Sequence, residues 1–184
     1  YLEGIAKETR DRLIVTGHSK GGNIAIYSAL NCSEKLYKRI EQVYSFDGPG
    51  FMEEYIAPYR DKDIVKKIKT ILPSKSVVGR IFEIVGDSKI IKSSNKGIMQ
   101  HDAFTWQILG TDFVEIPCFE KPSDNFHELL KAWVYKMPIE QRHEFVDAFY
   151  KMVTSSDAST LTDINSQKLK FIVALLKTEN SSKK

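Results

Sequence analysis

The chain has 184 residues, enough for one domain with a substantial core. Its 42% hydrophobic and 28% charged content is that of an ordinary globular protein rather than a fibrous or disordered one. A net charge of +3, with scattered lysines and no arginine–aromatic stripe, argues against a nucleic-acid surface.

In chain order, "YLEGIAKETRD" carries Leu2, Ile5 and Ala6 at helical spacing and reads as the end of a helix. "RLIVTG", Arg12 to Gly17, is a short buried strand by its β-branched content and glycine stop. "GGNIAIYSALNCSEKLYKRI" follows as helix, with Ile24, Tyr27 and Leu30 along one expected face and Leu36 and Ile40 in a second turn system. "QVYSFDGPGF" is a strand that must stop at Gly48-Pro49-Gly50.

"EEYIAPYRDKDIVKKI" is predicted helical around Pro58, while "KIKTILP", "GRIFEIVG" and "SKIIKSS" are strand-like. "NKGIMQHDAFTWQIL" reads as loop and then strand. From Asn125 onward "FHELLKAWVYKM", "IEQRHEFVDAFYKMV" and "INSQKLKFIVALLK" have helical period, and "TENSSKK" is a polar tail. The expected organisation is an α/β core over residues 1–124 with a mostly parallel sheet, helices over 125–177 packed on the same domain, and a flexible end at 178–184.

Cys32 and Cys118 are far apart in sequence and lack a nearby histidine pattern. They fit neither a disulfide framework nor a zinc site of familiar spacing, and read as free thiols in a reducing, cytoplasmic setting. No apolar run approaches the ~18 residues that span a bilayer.

Chemistry concentrates at Gly17-His18-Ser19-Lys20-Gly21, which fits G-x-S-x-G. A serine nucleophile at the top of a sheet needs a tight strand-to-helix turn in a strained conformation. Glycines two residues to either side are expected to keep neighbouring backbone from colliding. The helix that follows aims its first amides at a developing oxyanion, and the Lys20 backbone amide is the expected donor. The plainer reading is a structural Gly-Ser turn. Lys20 itself opposes the helix dipole. It calls for a carboxylate partner or an anionic substrate group, unless it is simply solvated.

A serine nucleophile needs a histidine in reach and a carboxylate behind it. His18 adjoins Ser19, so its ring is expected to point elsewhere, as a packing or elbow-supporting group. His127 and His143 fall on the C-terminal helices. His101, in the loop "GIMQHDAFTW", is the expected base. Asp47, ending the strand after the serine helix, is the expected acid, because parallel sheets gather their sites at that edge. Asp87 in "IVGDSK" is the alternate acid, and Asp102 is too close to His101 in sequence to pair with it well. Phe51, Phe104 and Trp106 are candidate acyl-pocket residues, although such aromatics are more often core.

"TGHSKGGNIAIYSAL", "VYSFDGPGF", "PSKSVVG" and "GIMQHDAFTWQI" together resemble the Mbeg1-like family of bacterial α/β-hydrolase-like proteins, over nearly the whole chain. More distantly they are similar to the class 3 lipases. There the acid follows the next strand; here that region is "ILPSKSVVG", which offers Ser74 and Ser76 but no carboxylate. The resemblance implies an α/β-hydrolase-like fold, no cofactor, and lipase- or esterase-like cleavage of a small ester or lipid. It also implies strands ahead of the serine strand. This chain, which begins at Tyr1, is therefore expected to be a C-terminal portion of the fold, its sheet completed by an N-terminal half or another chain. The competing expectation is a non-catalytic hydrolase-like scaffold that binds a ligand or partner through the same cleft.

Overall fold

The computed structural model describes residues 1–120, 132 and 135–144. The chain divides into two compact units, Tyr1–Trp133 and Val134–Lys184. The expected helices from 125 onward, with His127 and the 178–184 tail, lie mostly outside the described residues. Within the second unit, residues 139–144 are helical, and the Arg142 amide donates to the Pro138 carbonyl at 3.1 Å.

The first unit is α/β. Its elements are α1 (Leu2–Glu8), β1 (Leu13–His18), α2 (Lys20–Leu30), α3 (Glu34–Tyr37), β2 (Ile40–Phe46), α4 (Glu53–Ile56), α5 (Asp63–Lys66), β3 (Ile68–Pro73) and β4 (Asp87–Ile91). A short antiparallel hairpin, β5 (Ile108–Leu109) and β6 (Asp112–Phe113), follows. Strands β1 to β4 form one parallel sheet in sequence order. Parallel strands need crossovers, and α2 with α3, then α4 with α5, supply the first two.

Two clusters sandwich the sheet. One gathers Ala25, Ile26 and Ala29 of α2 with Val43, Ile64 and Ile68; the other joins Ile71, Ile91 and Trp106, with Tyr44, Phe46 and Phe113 against them. The buried face of α2 is Gly22, Ala25, Ile26 and Ala29, and of the expected Ile24, Tyr27 and Leu30 only Leu30 packs partly against the core. Ile24 and Tyr27 are about half exposed, at 52% and 51%. Size decides the face. A Cβ on Gly22 would stand 2.5 Å from Ser45 Oγ, so the helix lies this close to β2 because Gly22 has no side chain.

"GRIFEIVG" is not a strand. Phe82 and Gly86 take φ of 67° and 80°, which no strand accommodates, and the segment meets the rest of the fold through a Phe51–Glu83 bridge and a Thr70 hydroxyl that donates to the Val85 carbonyl at 2.7 Å. The strand begins after it, at Asp87. Among the described residues β1 is an edge strand with only β2 beside it, and no helix is long and apolar enough to cross a membrane.

Candidate active site

Ser19 stands at the junction of β1 and α2 with φ 57° and ψ −130°. It occupies the N-cap position, where a serine hydroxyl ordinarily accepts from an amide two or three residues on. Here it makes no such bond, and its backbone stands in a strained conformation. The Lys20 amide, first in α2, has no acceptor within the helix.

The elbow glycines divide differently from the expectation. A Cβ on Gly17 would lie 2.3 Å from the Gly21 carbonyl carbon and oxygen, whereas one on Gly21 would meet nothing within 4 Å. The tight positions are therefore Gly17 and Gly22. Lys20 Nζ donates to Asn23 Oδ1 at 3.1 Å, so the cation's partner is an amide rather than a carboxylate. Asn23 in turn donates through Nδ2 to the carbonyls of Pro49 and Gly50, at 3.0 and 3.1 Å. That side chain straps α2 to the Asp-Gly-Pro-Gly turn, a role the sequence did not signal.

Asp47 follows β2 as Ser19 follows β1. The rung His18–Phe46 is the last paired one; beyond it the Ser19 amide donates to the Phe46 carbonyl and the Asp47 amide to the Ile71 carbonyl, both at 2.9 Å. Neighbouring strands run ~4.8 Å apart, so Ser19 and Asp47 leave the same carboxyl edge side by side. Asp47 is also left-handed, with φ 48°, and its side chain is fully buried.

Three donors converge on the Asp47 carboxylate. The Ser76 hydroxyl and the Gly79 amide, the latter at 3.1 Å, donate to Oδ1. His101 Nδ1 donates to Oδ2 at 2.7 Å. An ionised carboxylate is acceptor-only, and burying one requires such donors. Ser76 thus holds the acid from the very segment that lacks one. With Nδ1–H committed to Asp47, the neutral ring leaves Nε2 as its acceptor.

His101 ends a 3₁₀ turn, Gly97–His101, that is tied down around Gln100. The Gln100 side chain is buried; its Oε1 accepts from Ser74 Oγ at 3.2 Å and the Lys75 amide at 2.8 Å. Trp106 Nε1 donates to the Gln100 carbonyl at 2.7 Å. Ser74 also bonds Glu120, whose carboxyl is held below its usual range by Lys75 first and Ser74 second.

The structure therefore brings His101 and Asp47 into direct contact and sets Ser19 beside Asp47 at the strand ends. It does not join all three: among the described residues the Ser19 hydroxyl and the His101 ring share no hydrogen bond. Asp87, the alternate acid, is exposed and opens β4 opposite Lys69, at the amino edge of the sheet. The misread strand before it is the reason for that expectation. Asp102 instead caps the next turn, accepting from the Phe104 amide at 3.0 Å. His18, expected to point away, reaches His101. His143 is exposed. Of the three aromatics, Phe51 and Trp106 are packed in the two cores and Phe104 is 100% exposed.

No curated protein matches the chain. A family model does, over residues 1–151. That span includes the serine turn, the buried aspartate and the histidine loop described above. The chain belongs to the Mbeg1-like family.

Proposed function

We propose that this protein is a serine hydrolase that cleaves a carboxylic ester. The observation carrying this reading is a strained N-cap serine whose hydroxyl does not cap its helix, at the same strand edge as a His101 ring bonded to the buried Asp47. Ser19 Oγ attacks the acyl carbonyl while His101 Nε2 takes its proton. The Lys20 amide donates to the oxyanion, and Asp47 orients the ring and offsets the charge on the imidazolium. Collapse of the tetrahedral adduct expels the alkoxide, which leaves as an alcohol with the proton from His101. Water, activated by the same ring, then releases the acid. Phe104, fully exposed three residues after the base, suits contact with an acyl chain.

The absent Ser19–His101 hydrogen bond favours the second reading, a scaffold that binds through this cleft without turnover. Catalytic hydrogen bonds are often formed only with substrate in place, so the first reading is preferred. Hydrolysis of short-chain nitrophenyl esters separates the two. Ser19→Ala is expected to abolish turnover, and Asp47→Asn to lower kcat by about 10³–10⁴ as the ring loses its orienting acceptor. Equal rates in wild type and Ser19→Ala would overturn the proposal.

A further inference from the structure

The His18 ring sits on the sheet face away from α2, and its Nε2–H donates to the main-chain carbonyl of His101 at 2.7 Å. The two imidazoles pack against each other at a tilt, with centroids 4.6 Å apart and planes 34° apart. Trp106 meets His18 edge-on, with ring centroids 6.3 Å apart, and its Nε1 donates to the carbonyl one residue earlier, that of Gln100. Two successive carbonyls of the histidine loop are therefore held by ring N–H donors from two different elements.

His18 is also covalently next to Ser19. Its hydrogen bond runs from the nucleophile's own strand to the base's own backbone. Asp47 holds the ring of His101 at Nδ1, but a ring can swing on an unpinned backbone and carry Nε2 with it. Fixing the carbonyl removes that freedom. Displacements of about 1 Å between reacting groups cost on the order of 100-fold in rate.

We infer that His18 is a positioning residue, a strap between the serine strand and the histidine loop that sets where His101 Nε2 stands relative to Ser19 Oγ. This rests on the serine-hydrolase reading above. The hydrogen bond of His18 goes to a main-chain carbonyl and not to a reacting atom. It acts through the main chain of His101, and what it requires is a donor at Nε2, not an aromatic ring as such.

Two variants separate these requirements. His18→Phe keeps a ring of similar shape but has no donor; His18→Gln loses the ring but offers an amide donor of comparable reach. With a nitrophenyl ester, His18→Phe is expected to lose about 10- to 100-fold in kcat with KM unchanged, and His18→Gln to recover to within about threefold of wild type. Thermal unfolding of both variants guards against a folding artefact. A His18→Phe variant that turns over at the wild-type rate would overturn the inference, as would a His18→Gln variant as impaired as His18→Phe.

A second measurement needs no turnover. The His101 Nδ1 proton, bonded to a buried carboxylate, is read as a downfield proton resonance, assigned by its loss in His101→Asn. It is expected to broaden through faster solvent exchange in His18→Phe and to persist in His18→Gln. An unchanged resonance in His18→Phe would overturn the strap. Failure of the wild type to hydrolyse any ester would instead sink the hydrolase reading, and the resonance would still decide the role of His18.

Discussion

At the scale of single residues, the elbow glycines make unequal demands. Gly17 faces the backbone of Gly21 at a distance no Cβ tolerates, while Gly21 faces open space. Gly17→Ala is expected to cost about 1–3 kcal/mol of stability through overpacking. Gly21→Ala, in the first turn of α2, is expected to be neutral or to stabilise by up to about 1 kcal/mol, because alanine gives up less backbone freedom in a helix. Urea unfolding of the pair checks this, and equal losses would contradict it. Ser76 is the residue most easily undervalued from sequence. It looked like a vacancy where a lipase-like acid would stand, yet its hydroxyl donates to Asp47 across the sheet edge. Ser76→Ala leaves a buried carboxylate short of a donor, at an expected cost of about 1–3 kcal/mol in the same assay.

Among the elements, β1 and α2 were readable because each carries its own local signal: a β-branched run, a glycine turn, then a long helical stretch. The stop after β2 was equally plain, since Gly48-Pro49-Gly50 permits no continuation, and that stop is what put Asp47 at the strand edge. The buried face of α2 is not marked by its largest apolar residues, because Ser45 comes so close to Gly22 that no Cβ fits there, and Ala25, Ile26 and Ala29 share that face. Strand-like composition in Gly79–Gly86 misled for the opposite reason. Left-handed Phe82 and Gly86 override propensity, and Asp87 moved with the boundary. Nothing local could signal the reach of His18 to His101, which spans 83 positions and depends on the completed sheet. The far end of α2 offers a simple check. Cys32 donates to the Ala29 carbonyl at 3.3 Å and burial pushes its thiol pKa up, while Cys118 is exposed. A raised pKa means less thiolate at pH 8, so Cys118 is expected to be alkylated first by iodoacetamide, as peptide mapping would read. Faster loss of Cys32 would contradict the packing of that helix end.

For the molecule as a whole, the parallel sheet sets the site where strand ends collect, and β1 forms its outer boundary among the described residues. Ile14 on that strand is 62% exposed, and the edge presents unpaired backbone groups. Such an edge is a template for pairing with a further strand from the same protein or another chain. Ile14→Lys is expected to reduce concentration-dependent light scattering of the isolated chain; scattering that is unchanged would mean the edge is not the sticky surface. The elbow, the buried acid and the histidine loop nevertheless come from β1, β2 and the segment after β4, all within one unit. The most direct measurement is therefore intact-mass analysis after treatment with an alkyl fluorophosphonate. A single adduct on the peptide containing Ser19, absent in Ser19→Ala and slowed in His101→Ala, is the predicted result. A wild-type chain that stays unmodified, or an adduct that persists without Ser19, would contradict the account.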